Sequence, residues 1–284
     1  MPRFVVVLLL VCYRRILCVA RNLMTMSNKN FTFYVGTNKG NWLWSKENRH
    51  PLFVSVRSLK NHKKLPASKV NWCCDSGGFT ELSLFGKWVT TPKEYVEHLQ
   101  RFNQEIGSMM WASPQDSMCE PSMLLKTNKS VLQHQHLTCE NFCELKQLAP
   151  DLPIIPVLQG WAADDYLLHA EMYKSYGINL NNEATVGVGS VCRRAKIAGI
   201  KETFEQLASD GLRLHGFGLK KDGIKLFGNS LVSSDSMAWS FTARVAGWKN
   251  IYLCGTKHDN AKSCGDCHDW AMQWADKVVE TRFA

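Results

Sequence analysis

The chain predicts an α/β fold of the TIM type, a somewhat irregular (β/α)8 barrel. Strand-like apolar runs alternate with segments of helical period along most of its length. Six of those runs end in polar or glycine-rich turns, at Asp75, Asp116, Gln159, Gly189, His215 and Asp235. A barrel gathers the C-terminal ends of its strands at one mouth, so all six turns would meet there. The alternative is a doubly wound open sheet, which would focus functional residues at one switch point.

The segments follow in order. Phe31 to Val35 is a first strand, and Trp42 to Trp44 and Leu52 to Val56 are further strands or packed loops. Val70 to Cys74 is a buried strand leading into Asp75-Ser76-Gly77-Gly78-Phe79. Two glycines after an acid let the backbone turn sharply near a ligand. Taken alone, D-S-G-G reads as an Asx-type turn between two strands. Thr91 caps a helix with Pro92 at its first position and Glu94 in its first turn. Tyr95, Leu99, Phe102 and Ile106 mark its buried face. Ser108 to Ala112 is a strand into Asp116, and residues 132–148 are helical.

Pro153 to Leu158 is a strand into Gln159-Gly160-Trp161. Asp164 or Asp165 caps the next helix. Thr185 to Val188 is a strand into Gly189. Ile197, Ile200, Phe204 and Leu207 face inward on a helix stopped by Gly211. Leu212 to Leu214 is a strand into His215-Gly216, and Asn229 to Ser233 is another into Asp235. Asn250 to Leu253 is expected to be the last strand. A final helix over 266–280 buries Ala271, Trp274 and Val278.

With 45% hydrophobic and 21% charged residues the chain is globular rather than disordered. The net charge of +9 points to an anionic partner, nucleic acid first. Phe4 to Cys12 is apolar but too short to span a bilayer. Its arginines mostly follow it, the reverse of an export signal. Residues 1–23 therefore read as an upstream extension or a mis-assigned start, and residues 24–284 as a single domain. Setting aside the four arginines of that extension leaves 30 basic side chains against 25 acidic ones. Eleven cysteines, an odd number, fit reduced thiols in a cytoplasm, with a subset held for metal.

Three acids, Asp75, Asp116 and Asp235, end strands far apart in sequence. Burying carboxylates is costly, so their convergence calls for chemistry. One carboxylate can attack a sugar carbon while another handles the leaving group's proton. A third can accept hydrogen bonds from a base, with Gln159 and the Gly189 backbone adding partners. Ser76, Gly77, Gly160, His215 and Gly216 lie in the same turns and complete the candidate substrate-binding set. Trp111, Trp161 and Phe217 are candidates to sandwich a flat base. Arg193, Arg194, Lys220 and Arg244 follow mouth turns and are candidate phosphate contacts. Cys254, His258, Cys264 and Cys267 have the spacing of a closed tetrahedral zinc site, a structural one. His268 is the rival fourth ligand.

DSGGF, the turn at Asp116, the VLQG strand end, the Gly189 turn, Asp235 and the Cys/His cluster together resemble the tRNA-guanine transglycosylase superfamily. The resemblance covers about residues 70–280. PQDSMCEP, LQGW, GVGSVCRR, LHGFGLK and SDSMAWSFTAR look more like the branch that places 7-deazaguanine in DNA. It implies a TIM-type barrel with a structural zinc. Asp235 then matches the nucleophile that attacks C1′, and Asp75 the acid/base. Asp116, Gln159 and Gly189 match the base-recognition positions. The expected reaction exchanges guanine in DNA for a free 7-deazaguanine, most simply the nitrile-bearing preQ0-like base. It proceeds through a covalent glycosyl-aspartate in a bacterial or phage-infected cytoplasm. No membrane is involved, and an accessory protein is a possible partner. Alternatives are the same exchange on tRNA, or a zinc-stabilised nucleic-acid-binding protein without catalysis. Asp235 is followed by Ser-Met-Ala rather than the Cys usual in the tRNA enzymes. The order of the Cys and His ligands differs as well, and both departures disfavour tRNA.

Overall fold

A computed structural model describes residues 31–192, 199–259 and 261–282. Residues 32–284 form one compact unit, and the apolar opening lies outside the described residues. Eight strands pair in parallel throughout: β1 (Thr32–Thr37), β2 (Leu52–Ser55), β3 (Trp72–Asp75), β4 (Met109–Ala112), β5 (Val157–Leu158), β6 (Val186–Val188), β7 (Leu214–Gly216) and β8 (Leu231–Ser236). Their order in the sheet is β4-β3-β2-β1-β8-β7-β6-β5. Each strand except β4 therefore neighbours the next in sequence, and β8 returns to β1. That order excludes the doubly wound alternative, whose strand order reverses at a switch point. The free edges are β4 and β5. A parallel bridge between Ala112 and Ile154 joins them, with Ala112 N donating to Pro153 O at 2.9 Å. The sheet is thus curled in a TIM-like manner.

Inside the curl, Tyr34, Phe53, Cys73, Trp111 and Ile155 form one buried layer, and Phe217 packs against it. Tyr34, Phe53, Cys73 and Trp111 come from the successive strands β1 to β4, and Ile155 precedes β5. Helices cover the outside. The longest are α1 (Pro92–Glu105), α2 (Val131–Leu148), α3 (Ala163–Ser175) and α4 (His268–Arg282). The predicted cap of α1 is present: Glu94 N–H donates to Thr91 Oγ1 and Thr91 N–H donates back to Glu94. Its buried face is Tyr95, Val96, Leu99 and Phe102. In α4, Ala271, Trp274 and Val278 are buried as expected, with Trp274 against Phe33 of β1 at 5.8 Å. No helix among the described residues is long and apolar enough to cross a membrane.

The strand expected at Asn250–Leu253 does not form. Both neighbours of β8 are already taken by β1 and β7, so the sheet offers it no edge, and Ile251 is exposed. Trp42–Trp44 belongs to a 3-10 turn rather than a strand. The Asp75 turn leads into a short helix at Gly78–Phe85, not a second strand. Strand pairing before Gln159 covers little more than Val157–Leu158, because Pro153 and Pro156 cannot donate to the ladder. Helix α3 is capped by Asp165 from inside its first turn, which accepts from the Trp161 and Ala162 amides.

Candidate active site

Turns at the C-terminal ends of the strands enclose a cavity of about 450 Å³. Asp75, Ser76, Asp116, Gln159, Gly189 and Asp235 all line it. Asp75 is the last residue of β3, and Gly77 N–H donates to its Oδ2 at 3.1 Å. Gly77 adopts φ +78°, and a Cβ there would press on the Arg57 side chain at 2.9 Å. Only glycine closes this turn without strain. Ser76 N–H donates to Ser113 Oγ at 2.9 Å, and Tyr95 donates to Ser113 O at 2.6 Å. These bonds tie the turns after β3 and β4 together and aim Asp75 and Asp116 into one space.

Asp116 accepts a short hydrogen bond from Gln159 Nε2. Gln159 is itself held from behind. His169 Nδ1 accepts its N–H at 2.8 Å, and Gln135 donates to its carbonyl at 2.8 Å. Ser190 Oγ lies 2.8 Å from Gln159 Oε1 and 2.9 Å from Glu120 Oε2. A Cβ on Gly189 would overlap the Gln159 amide, so the glycine is needed for close approach. Asp235 accepts from the Gly218 N–H at 2.9 Å and lies 3.3 Å from His215 Nε2.

Electrostatics separates these acids from surface carboxylates. Burial pushes Asp75 up to about 6, and the charge of Asp235 adds to it. Burial pushes Asp116 up to about 7, against the opposing Gln159 bond and with the Asp75 charge adding. Among the described residues no lysine or arginine pairs with either. Asp75 and Asp116, sharing one pocket without a cationic partner, do not ionise as freely as surface acids. An acid poised near neutrality can both give and take a proton.

The remaining expected site residues fall elsewhere. Gly77 shapes the Asp75 turn from behind. Gly160 packs on Asp165 and Tyr166. His215 is fully buried beneath the cavity rather than lining it, and Gly216 packs on Leu219. Lys220 precedes a short helix at Lys221–Phe227 and is exposed. Arg244 pairs with Asp266 at 3.9 Å and lies along Gly265, away from the cavity. Arg193 and Arg194 lie outside the described residues. Of the proposed aromatics, Phe217 lines the cavity, while Trp111 is buried below it. Phe53, Phe79, Ser113, Met118, Glu120 and Ser190 also line it. Phe79 and Ser190 adjoin motif residues, which was a usable signal. Glu120 falls within the PQDSMCEP segment, a signal of the same kind, and Phe53 carried none.

Cys254, His258, Cys264 and Cys267 bring one ligand atom each within 4.8 Å of one another. His258 Nε2 is 3.4 Å from Cys254 Sγ and 3.3 Å from Cys264 Sγ. Thr256 and Trp270 amides point at the sulfurs of Cys254 and Cys267. Such N–H donors stabilise thiolates around a metal, so this set fits a cation. His268 is engaged instead with Asn48 at 2.8 Å. Ser240 of the helix Ala238–Gly247 donates to Gly265 O at 2.6 Å, anchoring the cluster to the body of the fold. Cys73, Cys74, Cys119 and Cys139 are buried core residues, while Cys192 is exposed.

Fold and site define a parallel, TIM-like α/β protein with an acid-lined mouth and a separate Cys/His centre able to hold a metal ion. The chain belongs to the DpdA family, DeoxyPurine in DNA protein A, whose family model matches residues 29–283. This family is the 7-deazaguanine branch of the transglycosylases that act on DNA. No curated protein matches the chain. Among solved structures it is similar to a putative fructose-1,6-biphosphate aldolase from Coccidioides immitis. Identity there is 9% and the TM-score 0.46, covering 93% of this chain and 96% of the other. It is also similar to a pyruvate carboxylase from Rhizobium etli, at 11% identity and TM-score 0.39, covering 91% of this chain and 26% of that one.

Proposed function

We propose that this protein exchanges guanine in DNA for a 7-deazaguanine base through a covalent glycosyl-aspartate. The observation that carries this reading is the meeting of Asp75, Asp116 and Asp235, from three separate strand ends, around one cavity. Asp235 attacks C1′ of the target nucleotide. The C1′–N9 bond breaks and its electron pair leaves with guanine. Asp75, poised near 6, protonates the departing base. It then takes a proton from the incoming base as that base attacks C1′. Asp116 and Gln159 read the edge of the base, and Phe53, Phe79 and Phe217 supply apolar walls. A cavity of about 450 Å³ lies within the roughly 300–1,000 Å³ of small-ligand sites. Because C1′ is hidden inside a duplex, the target nucleotide flips out of the helix to reach it.

In this reading the fold is a closed (β/α)8 barrel beginning after residue 23, and the cation at Cys254, His258, Cys264 and Cys267 is zinc. All four positions of a tetrahedral ion are then filled by protein, so the site is structural. The ion supplies a cross-link between the segment after Gly247 and the start of α4.

The test offers radiolabelled guanine or 7-deazaguanine to the enzyme with duplex DNA and bulk tRNA in parallel. Label is expected in DNA only and is lost in Asp235→Ala. Label in tRNA only would keep the chemistry and overturn the substrate. Label in neither, with folded and metal-loaded protein, would overturn the reading in favour of nucleic-acid binding alone.

A further inference from the structure

The two oxygens of the Asp235 carboxylate meet different surroundings. Oδ1 accepts from Gly218 N–H at 2.9 Å and lies 3.3 Å from His215 Nε2. No hydrogen bond to Oδ2 is found among the described residues. His215 stands on β7 and is fully buried. Its ring is wedged edge-on against Trp111 and Phe217, each with ring centres 4.7 Å away. Strand register places it opposite Ser233, and Nδ1 is 2.9 Å from Ser233 Oγ. Asp235 follows two residues later on β8, on the same face. Burying an imidazole among aromatic rings is costly unless its nitrogens are bonded, and both are. An ionised carboxylate only accepts, so the contact at Nε2 requires the proton there. Ser233 then donates to Nδ1. The ring cannot rotate without losing both bonds and its packing.

We propose that His215 is a positioning residue for Asp235. Together with the Gly218 amide it tethers Oδ1 and leaves Oδ2 as the atom that bonds to C1′. The proposal rests on Asp235 being the nucleophile, as proposed above. When Oδ2 attacks, Oδ1 becomes the carbonyl oxygen of the glycosyl ester and keeps both donors. When the incoming base attacks, the Oδ2–C1′ bond breaks and its electron pair returns to the carboxylate. That charge spreads onto Oδ1, where the two N–H groups are already aimed. Donors fixed in advance cost no reorganisation at that moment. His215 therefore assists the departure of Asp235 more than its attack, and it never touches the substrate.

Three variants and two readouts test this. His215→Leu removes the donor at similar volume, His215→Gln returns an amide N–H at the reach of Nε2, and Ser233→Ala frees the ring. His215→Leu is expected to lower kcat roughly 10- to 100-fold, the scale of a hydrogen bond to a charged group, with KM for DNA within about twofold. The DNA–protein adduct should accumulate on denaturing gels, because release is slowed most. His215→Gln should recover most of kcat. A folded His215→Leu enzyme turning over like the wild type would overturn the proposal. So would a raised KM with intact kcat, which would make His215 a substrate contact. If His215→Leu does not fold, Ser233→Ala decides: a kcat unchanged from wild type overturns the proposal, and a severalfold fall supports it.

The second readout needs no catalysis. ¹⁵N chemical shifts of His215 in the wild type and in Asp235→Asn report which ring nitrogen carries the proton. A proton on Nε2 whose signal moves in Asp235→Asn is expected, and a proton on Nδ1 alone would overturn the tether. Wild-type protein with the Nε2 proton in place and no base exchange would remove the catalytic role of Asp235, and that of His215 with it, while leaving the tether standing.

Discussion

The mouth of the sheet draws its polar side chains from the ends of β1, β2, β3, β4, β5, β6 and β8, whereas the four Cys/His ligands fall between Cys254 and Cys267. The mouth exists only once the strands have paired and the sheet has curled, because Asp75 and Asp235 have no local means of meeting. The cluster needs only a short loop and one helix start to bring its four ligand atoms together. The two also differ in energetic sign. Buried carboxyls without cationic partners oppose folding, and burial raises both Asp75 and Asp116 accordingly. Soft ligands around a cation favour folding, because the unfolded chain binds that cation far less well. Under the proposed function, one region gives up stability for chemistry, and the other returns stability without chemistry.

Removing the cation should separate them most strongly. Cys264→Ser, or a chelator on the wild type, is expected to empty the centre. It should lower Tm by roughly 10 °C or more, since structural zinc contributes several kcal/mol and each kcal/mol moves a domain of this size by about 2–4 °C. Elemental analysis and a thermal melt check this. Base exchange per folded molecule, measured well below Tm, should stay near the wild-type value. An unchanged Tm with unchanged metal content would show that the cluster is not a metal centre.

The mouth should behave in the opposite sense. Asp116 is held up to about 7 in the fold against an ordinary 3.8. Between those values the folded protein keeps a proton that the unfolded chain has lost. The stability associated with this group is therefore fully present below about pH 4 and is lost as pH rises through 7. Asp116→Asn, which cannot ionise, should melt higher than the wild type at pH 8 and equally at pH 4. A three-unit shift sets a ceiling of about 4 kcal/mol. A wild-type advantage at pH 8 would break the contrast between the two regions.

The smallest expected effect lies in the geometry of base reading. Gly189→Ala places a methyl where the Gln159 amide sits. Gln159 must leave Asp116, and KM for the free base should rise roughly tenfold with less change in kcat at saturation, about 1.4 kcal/mol of binding. Equal kinetics would mean that the Asp116–Gln159 pair does not read the base.

Much of this arrangement was legible in the sequence. Asp75, Asp116, Gln159, Gly189 and Asp235 each follow an apolar run cut by a turn, and that local pattern placed them at one end of the sheet. The Thr91 cap and the spacing of Cys254, His258, Cys264 and Cys267 were equally local. The misread positions depended on distant partners. Asn250–Leu253 has a strand's composition but no free edge to join. His215 ends a strand as the mouth residues do, yet Trp111 and Phe217 close over it. Arg244 follows the Asp235 turn, but its helix carries it to Asp266. Phe53 reaches the cavity without any motif of its own.

The sequence by itself determined the alternation of strands and helices, the turns that carry the acids, and the metal-ligand spacing, because periodicity, capping and chelate geometry act over a few residues. Only the tertiary structure decided which acids share a cavity, how far burial raises the pKa values of Asp75 and Asp116, and that one oxygen of Asp235 accepts from the Gly218 amide. Those properties come from solvent exclusion and from contacts between strands far apart in sequence, and they arise only when β8 closes onto β1.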